Sequence, residues 1–165
     1  MKALQFVDNV LAINNIREPQ PKRGEVLVKV KKAGVCNTDL EITRGYFQFQ
    51  GTIGHEFVGV VEESDNKDED EVEVEAEVEA ENKGKSWVGK RVVADINCAC
   101  YQCSVCAAGN SHHCPKRTVL GIVKRDGAFA EYLSVPVKNL VEVPDTLSDD
   151  QAVFAEPVAA ALEIQ

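Results

Sequence analysis

GTIGHEFVGVVEE, residues 51–63, is the stretch on which the reading of this chain turns. Its second half is β-branched and partly alternating, the pattern of a half-buried strand. Its first half sets His55 beside Glu56 between two glycines. An imidazole next to a carboxylate at a strand mouth is either a polar strand end or half of a metal site. The strand pattern recurs on both sides, in EVLVKVKKAGV (25–35), KRVVADI (90–96), GAFAEYLSV (127–135) and NLVEV (139–143), punctuated by Gly, Pro and Asn. Irregular strands joined by long loops predict a mainly β domain, a twisted barrel or sandwich with short helices. The pattern changes in PDTLSDDQAVFAEPVAAALEIQ (144–165). There Ser148 reads as the N-cap of a short helix, and Pro157 suits the first turn of a second one. Glu156 is therefore expected at the break between two helical pieces.

A chain of 165 residues, 44% apolar and 27% charged, can bury one sizeable core. It has no leader-like start and no run of eighteen apolar residues. A soluble, cytoplasmic protein is expected, with no membrane or nucleic-acid partner. The net charge of −9 is concentrated in residues 62–82, which hold 12 of the 27 acids and one of the 18 bases. Residues 64–85 are read as an acidic insert, either a self-repelling low-complexity loop or a projecting hairpin arm. The Val-Glu alternation has strand period, and charge on one face would discourage edge pairing.

Six cysteines in a cytoplasmic chain point to metal or catalysis before disulfides. CYQCSVCAAGNSHHC places Cys100, Cys103, Cys106 and Cys114 at C-x2-C-x2-C-x7-C spacing. Two intervening residues let a turn aim both thiolates at one centre, and four thiolates close a tetrahedral zinc shell with no open position. Residues 97–115 are thus expected to form a structural zinc lobe. Unpaired buried cysteines and an iron–sulfur cluster are the alternatives, although the spacing does not match the ferredoxin runs. Cys98 is left out because a C-x-C step in extended chain points the two sulfurs to opposite faces. His112 and His113 are read as ordinary exposed residues. Cys36, His55, Glu56 and Glu156 are scattered, and each alone is as consistent with packing or structural hydrogen bonding as with metal binding.

Together these segments resemble the medium-chain zinc-dependent alcohol dehydrogenases, in particular the polyol, threonine and glucose dehydrogenase branch. GVCNTD (34–39) is similar to the family's G-x-C-x-[ST]-D segment, GHEFVG (54–59) to G-H-E-x-x-G, and the four-cysteine loop to its structural zinc lobe. The resemblance covers the family's N-terminal, GroES-like catalytic domain, which would occupy residues 1–165. It implies a GroES-like barrel ending in a helix that leads into a Rossmann cofactor domain. No G-x-G-x-x-G turn occurs in these residues, so that domain is expected to be absent from them.

The resemblance further implies two zinc ions per chain. The structural one is held by the four lobe cysteines, and the catalytic one by Cys36, His55 and Glu156. Glu56 would swing in during ligand exchange, Asp39 would orient the His55 ring, and Thr38 would lie nearest the substrate oxygen. The implied activity is oxidation of a small-molecule alcohol or polyol with hydride transfer to NAD or NADP. It requires the cofactor domain, so the isolated chain is expected to be inactive, and the full-length form is expected to be a homo-oligomer. The competing reading is a non-enzymatic zinc-binding interaction module built on the same barrel.

Overall fold

The computed structural model describes residues 1–46, 48–64 and 86–162. Nearly all of the acidic insert read at 64–85 lies outside the described residues. The centre is a five-stranded antiparallel sheet in the order β10 (Tyr132–Pro136), β3 (Glu25–Gly34), β5 (Glu56–Ser64), β6 (Arg91–Ala94), β11 (Leu140–Glu142). β3 and β5 pair along nearly their full lengths, from Val26 opposite Ser64 to Gly34 opposite Glu56, with register shifts after Leu27 and Val30. Such irregularities bend and twist a sheet, which lets it curl around a core. Val26, Val28, Phe57, Val61, Trp87, Val92, Leu133 and Val135 pack together as that core.

A second sheet, β2 (Val10–Asn15), β1 (Lys2–Val7), β4 (Gly51–Thr52), stands beside it. Backbone bonds from Leu4 N to Phe129 O (2.7 Å) and from Phe129 N to Ile53 O (2.9 Å) join the strap before β10 to this sheet. Phe6, Ile42, Phe49 and Ile53 fill the space between. A third small sheet, β7 (Asn97–Cys98), β8 (Thr118–Leu120), β9 (Lys124–Arg125), carries the four-cysteine loop between β7 and β8. The helices are short: α1 (Asn37–Thr43), α2 (Ser104–Ala107), α3 (Asp149–Ala152) and α4 (Ala155–Leu162). None of the described helices is long and apolar enough to cross a membrane.

Two sequence expectations need correction, and one element went unread. The β1–β2 hairpin was not anticipated, although Asp8 and Asn9 adopt left-handed φ values of 50° and 62°, the geometry of a tight two-residue hairpin turn. The run at 127–135 becomes a strand only from Tyr132, because the backbone of 127–129 bonds across to 52–54 instead. Glu156 does not lie at the helix break. The break falls at residues 153–154, and Glu156 is the second residue of α4, which admits Pro157 in its first turn. Ser148 caps α3 as expected, its side chain accepting from Gln151 N.

A buried ion pair ties β3 to the third sheet. Arg125 Nη2 donates to Glu25 Oε1 at 2.9 Å, Ser134 Oγ donates to Glu25 Oε2 at 2.6 Å, and Lys22 N donates to the same oxygen at 3.3 Å. Burial pushes the Glu25 carboxyl up, but Ser134 and Arg125 outweigh it and hold the group below its ordinary value. A depressed carboxyl contributes stability that is present above its ordinary value of 4.5 and is lost as pH falls through the lower folded value. Arg125→Met is therefore expected to cost about 2 kcal/mol near neutral pH. That is less than the ~3–5 of a fully buried pair, because the guanidinium is partly hydrated. Denaturant unfolding of both proteins at neutral and acid pH checks this, and the gap should narrow in acid.

Candidate metal centres

β3 ends at Gly34, and the chain turns through Cys36, which caps α1 with an extended backbone (φ −95°, ψ 158°). Two residues into the helix Thr38 Oγ1 lies 3.6 Å from Cys36 Sγ, accepting from the thiol. Asp39, only 2% exposed, accepts from Cys36 N through Oδ2 at 2.9 Å and from Gly54 N through Oδ1 at 3.1 Å. The same Oδ1 sits 3.4 Å from His55 Nδ1. One buried carboxylate thus braces the two segments that present Cys36 and His55. His55 Nδ1 makes no full hydrogen bond, so its contact with Asp39 is chiefly electrostatic. Burial alone would lower the imidazole pKa, but the Asp39 carboxylate, aided by Cys36, raises it to about 9.

Gly54 must be glycine here: its φ is +94°, and a Cβ would run into the Phe129 ring. Gly34 is bare for another reason, since a Cβ there would overlap Glu56 Oε2. The space left by Gly34 lets Glu56 bring its carboxylate to Cys36 and His55, and ligand atoms of the three lie within 4.8 Å of one another. Gly34→Ala has no unusual φ to strain, so its effect should fall on Glu56. We expect an overpacking cost of about 1–2 kcal/mol and weaker metal uptake here, with uptake by the four-cysteine lobe unchanged. Competitive titration against a chromophoric zinc chelator checks it.

Glu156 is half-buried and stands outside that group of three. It nonetheless belongs to the same electrostatic neighbourhood. Burial pushes its carboxyl up, His55 opposes this, and the carboxylates of Glu56, Asp39 and Asp95 push it up further. Several acids around one imidazole and one thiol form a donor set suited to a cation. Glu156 also lines a cleft of about 750 Å³ with Asp95, Ile96, Asn97, His112 and His113. The two histidines are exposed, as read from the sequence, but their place opposite Glu156 had no sequence signal.

The lobe gathers all four of its cysteines. Sγ atoms of Cys103 and Cys106 are 3.5 Å apart, those of Cys114 and Cys100 are 3.5 Å apart, and those of Cys103 and Cys114 are 3.9 Å apart. Tyr101 takes a left-handed φ of 54°, which helps close the tight loop. The Gln102 backbone N–H draws the Cys100 thiol down to about 6, and that of Cys106 draws Cys103 down. Burial among the other sulfurs pushes Cys106 up to about 12. Thiols so close cannot all ionise without a cation to neutralise them, and a tetrahedral thiophilic ion meets that need. Cys98 stays outside the cluster: it is buried in the main core, its thiol donates to Ile96 O, and burial pushes its pKa up to about 11. Among the described residues these are the two groups of metal-type ligands.

Comparison with known proteins places the chain in a family. Residues 22–145 match the family described as the alcohol dehydrogenase GroES-like domain. The chain is 36% identical over 159 residues to the starvation-sensing protein RspB of Escherichia coli K12, covering 94% of this chain and 42% of RspB. It is 39% identical over 150 residues to L-threonine 3-dehydrogenase of Coxiella burnetii, covering 87% of this chain and 39% of that enzyme. Among solved structures it superposes on a short chain alcohol dehydrogenase (rspB) of E. coli CFT073 complexed with NADH. The TM-score is 0.80 at 37% identity, covering 98% of this chain and 44% of that one. It also superposes on a Sinorhizobium meliloti 1021 protein described as a zinc-binding dehydrogenase and bound to NADP. Here the TM-score is 0.78 at 33% identity, covering 98% of this chain and 43% of that one. The chain spans less than half the length of these relatives.

Proposed function

The chain belongs to the alcohol dehydrogenase GroES-like domain family, and from that premise we propose that it is the metal-binding catalytic part of an NAD(P)-dependent zinc dehydrogenase acting on an alcohol or polyol. The observation that carries the reading is the Asp39 brace. One buried carboxylate fixes Cys36, Gly54 and His55 together and leaves thiol, imidazole and carboxylate facing one point. That donor set suits zinc, which when bound would acidify the hydroxyl of an alcohol placed beside it.

The chain's own residues have separable tasks in this proposal. Asp39 faces Nδ1 of the ring electrostatically, which leaves the other imidazole nitrogen to be offered to the ion, and its negative charge raises the basicity of that nitrogen. Cys36 supplies the thiolate. Glu56 would close the set in the arrangement seen, and Glu156, whose carboxyl is influenced by the same His55, is the carboxylate that would exchange with it. Thr38, beside Cys36, receives the hydroxyl proton and passes it outward. The four-cysteine lobe holds a second, structural zinc and forms one wall of the cleft beside Glu156. A nicotinamide, held by residues beyond this domain, would supply the redox chemistry as hydride acceptor.

Hydride transfer needs the nicotinamide within roughly 3–3.5 Å of that carbon, positioning worth about 7–11 kcal/mol of barrier. Residues 1–165 contain no Gly-rich pyrophosphate turn. Alone they should therefore show neither saturable NAD(P) binding nor turnover. Fusing them ahead of the nucleotide-binding half of RspB should restore both, and His55→Ala or Glu156→Gln in that fusion should abolish turnover. Cofactor-dependent turnover by residues 1–165 alone would refute the division of labour. A fusion that binds NADH and zinc but turns over no alcohol or polyol would refute the catalytic reading.

A further inference from the structure

A separate cleft of about 360 Å³ opens between residues 16–22 on one side and β8, β9 and β10 on the other, and it shares no lining residue with the cleft beside Glu156. Its floor is an electrically closed network. Arg125 spends its guanidinium on Thr118 Oγ1 (3.1 Å), Ser134 O (3.3 Å) and Glu25 Oε1 (2.9 Å), so the Arg125 and Glu25 charges cancel. The remaining charged lining is uneven. Arg17, Lys22 and Lys124 make no ion pair with any described acid, and the single remaining acid, Asp126, is already accepting from Thr52 N at 2.8 Å.

Two further observations single out the cleft. Thr52 lines it and is 1% exposed, yet its Oγ1 is buried without a hydrogen-bond partner. A buried hydroxyl left unmade costs about 1–3 kcal/mol, so a turn of this hydroxyl outward to an acceptor in the cleft would recover that loss. Lys124 holds a left-handed φ of 51°. Glycine would take that conformation without strain, whereas a lysine costs roughly 1–2 kcal/mol, so the side chain is kept at a site where the backbone disfavours it.

We propose that this cleft binds the phosphate group of a small organic phosphate, with Arg17, Lys22 and Lys124 around its oxygens and the Thr52 hydroxyl donating from below. Arg17, Lys22 and Lys124 less Asp126 leave a surplus of two positive charges, which a phosphate dianion balances and a carboxylate does not. The volume is at the small end of ligand pockets, about 300–1,000 Å³, which suits a phosphorylated molecule of a few carbons. The inference does not depend on the dehydrogenase reading.

The test is an NMR titration of the zinc-replete 165-residue chain with inorganic phosphate, glycerol 3-phosphate and glycerol at fixed ionic strength. Saturable amide shifts centred on Thr52, Lys124 and Arg17 are expected with the two phosphates and none with glycerol. Tighter binding of glycerol 3-phosphate identifies an organic phosphate as the ligand, while equal or weaker binding overturns that assignment. Arg17→Gln combined with Lys124→Gln should weaken binding at least about tenfold, the loss of one charge-assisted hydrogen bond or more. Thr52→Val, nearly isosteric, should weaken it less. Shifts that do not saturate, that spread over surface lysines elsewhere, or that survive the double substitution with unchanged affinity would overturn the proposal.

Discussion

Cys103→Ser is expected to empty the four-cysteine lobe and to lower the stability of the whole domain, while the site at Cys36 and His55 keeps its ion. The lobe has little else to hold it: α2 spans four residues and buries none of its side chains, and the sulfurs of the four cysteines are each other's nearest neighbours. Replacing one thiolate with a hydroxyl leaves three ligands for a tetrahedral ion and removes the charge that neutralises it. A structural ion present at 1,000 times its dissociation constant stabilises the folded state by about 4 kcal/mol. For a domain of this size that corresponds to roughly 8–16 °C in the unfolding midpoint. Strong chelation of the wild-type protein, which strips both ions, should lower the midpoint at least as far, and the same treatment should move the midpoint of the variant less, because the variant has only the ion at Cys36 and His55 to lose. Equal loss of metal from both sites on this single substitution would mean that the two centres are not independent.

Asp39→Asn should do the reverse. The amide is nearly the size of the carboxylate, so the barrel should remain folded, but the charge facing His55 Nδ1 is gone and one of the two acceptor oxygens serving Cys36 N and Gly54 N becomes a donor. Loss of a residue that orients a metal-binding histidine typically weakens metal binding about 10–100-fold. That loss should appear at the Cys36 and His55 site alone, read as zinc affinity by chelator competition, with lobe occupancy unchanged. An unchanged affinity at this site would show that the brace does not serve a metal.

How much of this was legible in the sequence depended on how local each signal was. The four-cysteine loop was readable because its ligands sit within fifteen residues and the turns that converge them are encoded in that spacing. β3, β5 and β11 were readable because β-branched runs bounded by Gly and Pro describe a sheet. The β1–β2 hairpin was missed although Asp8-Asn9 between two apolar runs is a turn signal; the weak alternation of VLAINN hid it. The 127–129 segment looked like strand because its alternation is real, but its hydrogen bonds go to 52–54, a contact no local pattern reveals. The importance of Cys36, His55 and Asp39 came from resemblance, and the physical reason for it, one carboxylate with both oxygens committed, is visible only in three dimensions. The gathering of Glu56 rather than Glu156 with Cys36 and His55 likewise follows from the cross-strand pairing with Gly34, not from sequence.

Two chemically different zinc sites are proposed for this one barrel. Metal analysis of the zinc-replete 165-residue chain, alongside His55→Ala and Cys103→Ser, tests that proposal most directly. Close to two zinc ions are expected in the wild-type chain and close to one in each variant, with the ion retained by Cys103→Ser the more readily exchanged. One ion in the wild-type chain that is insensitive to His55→Ala would contradict the proposal.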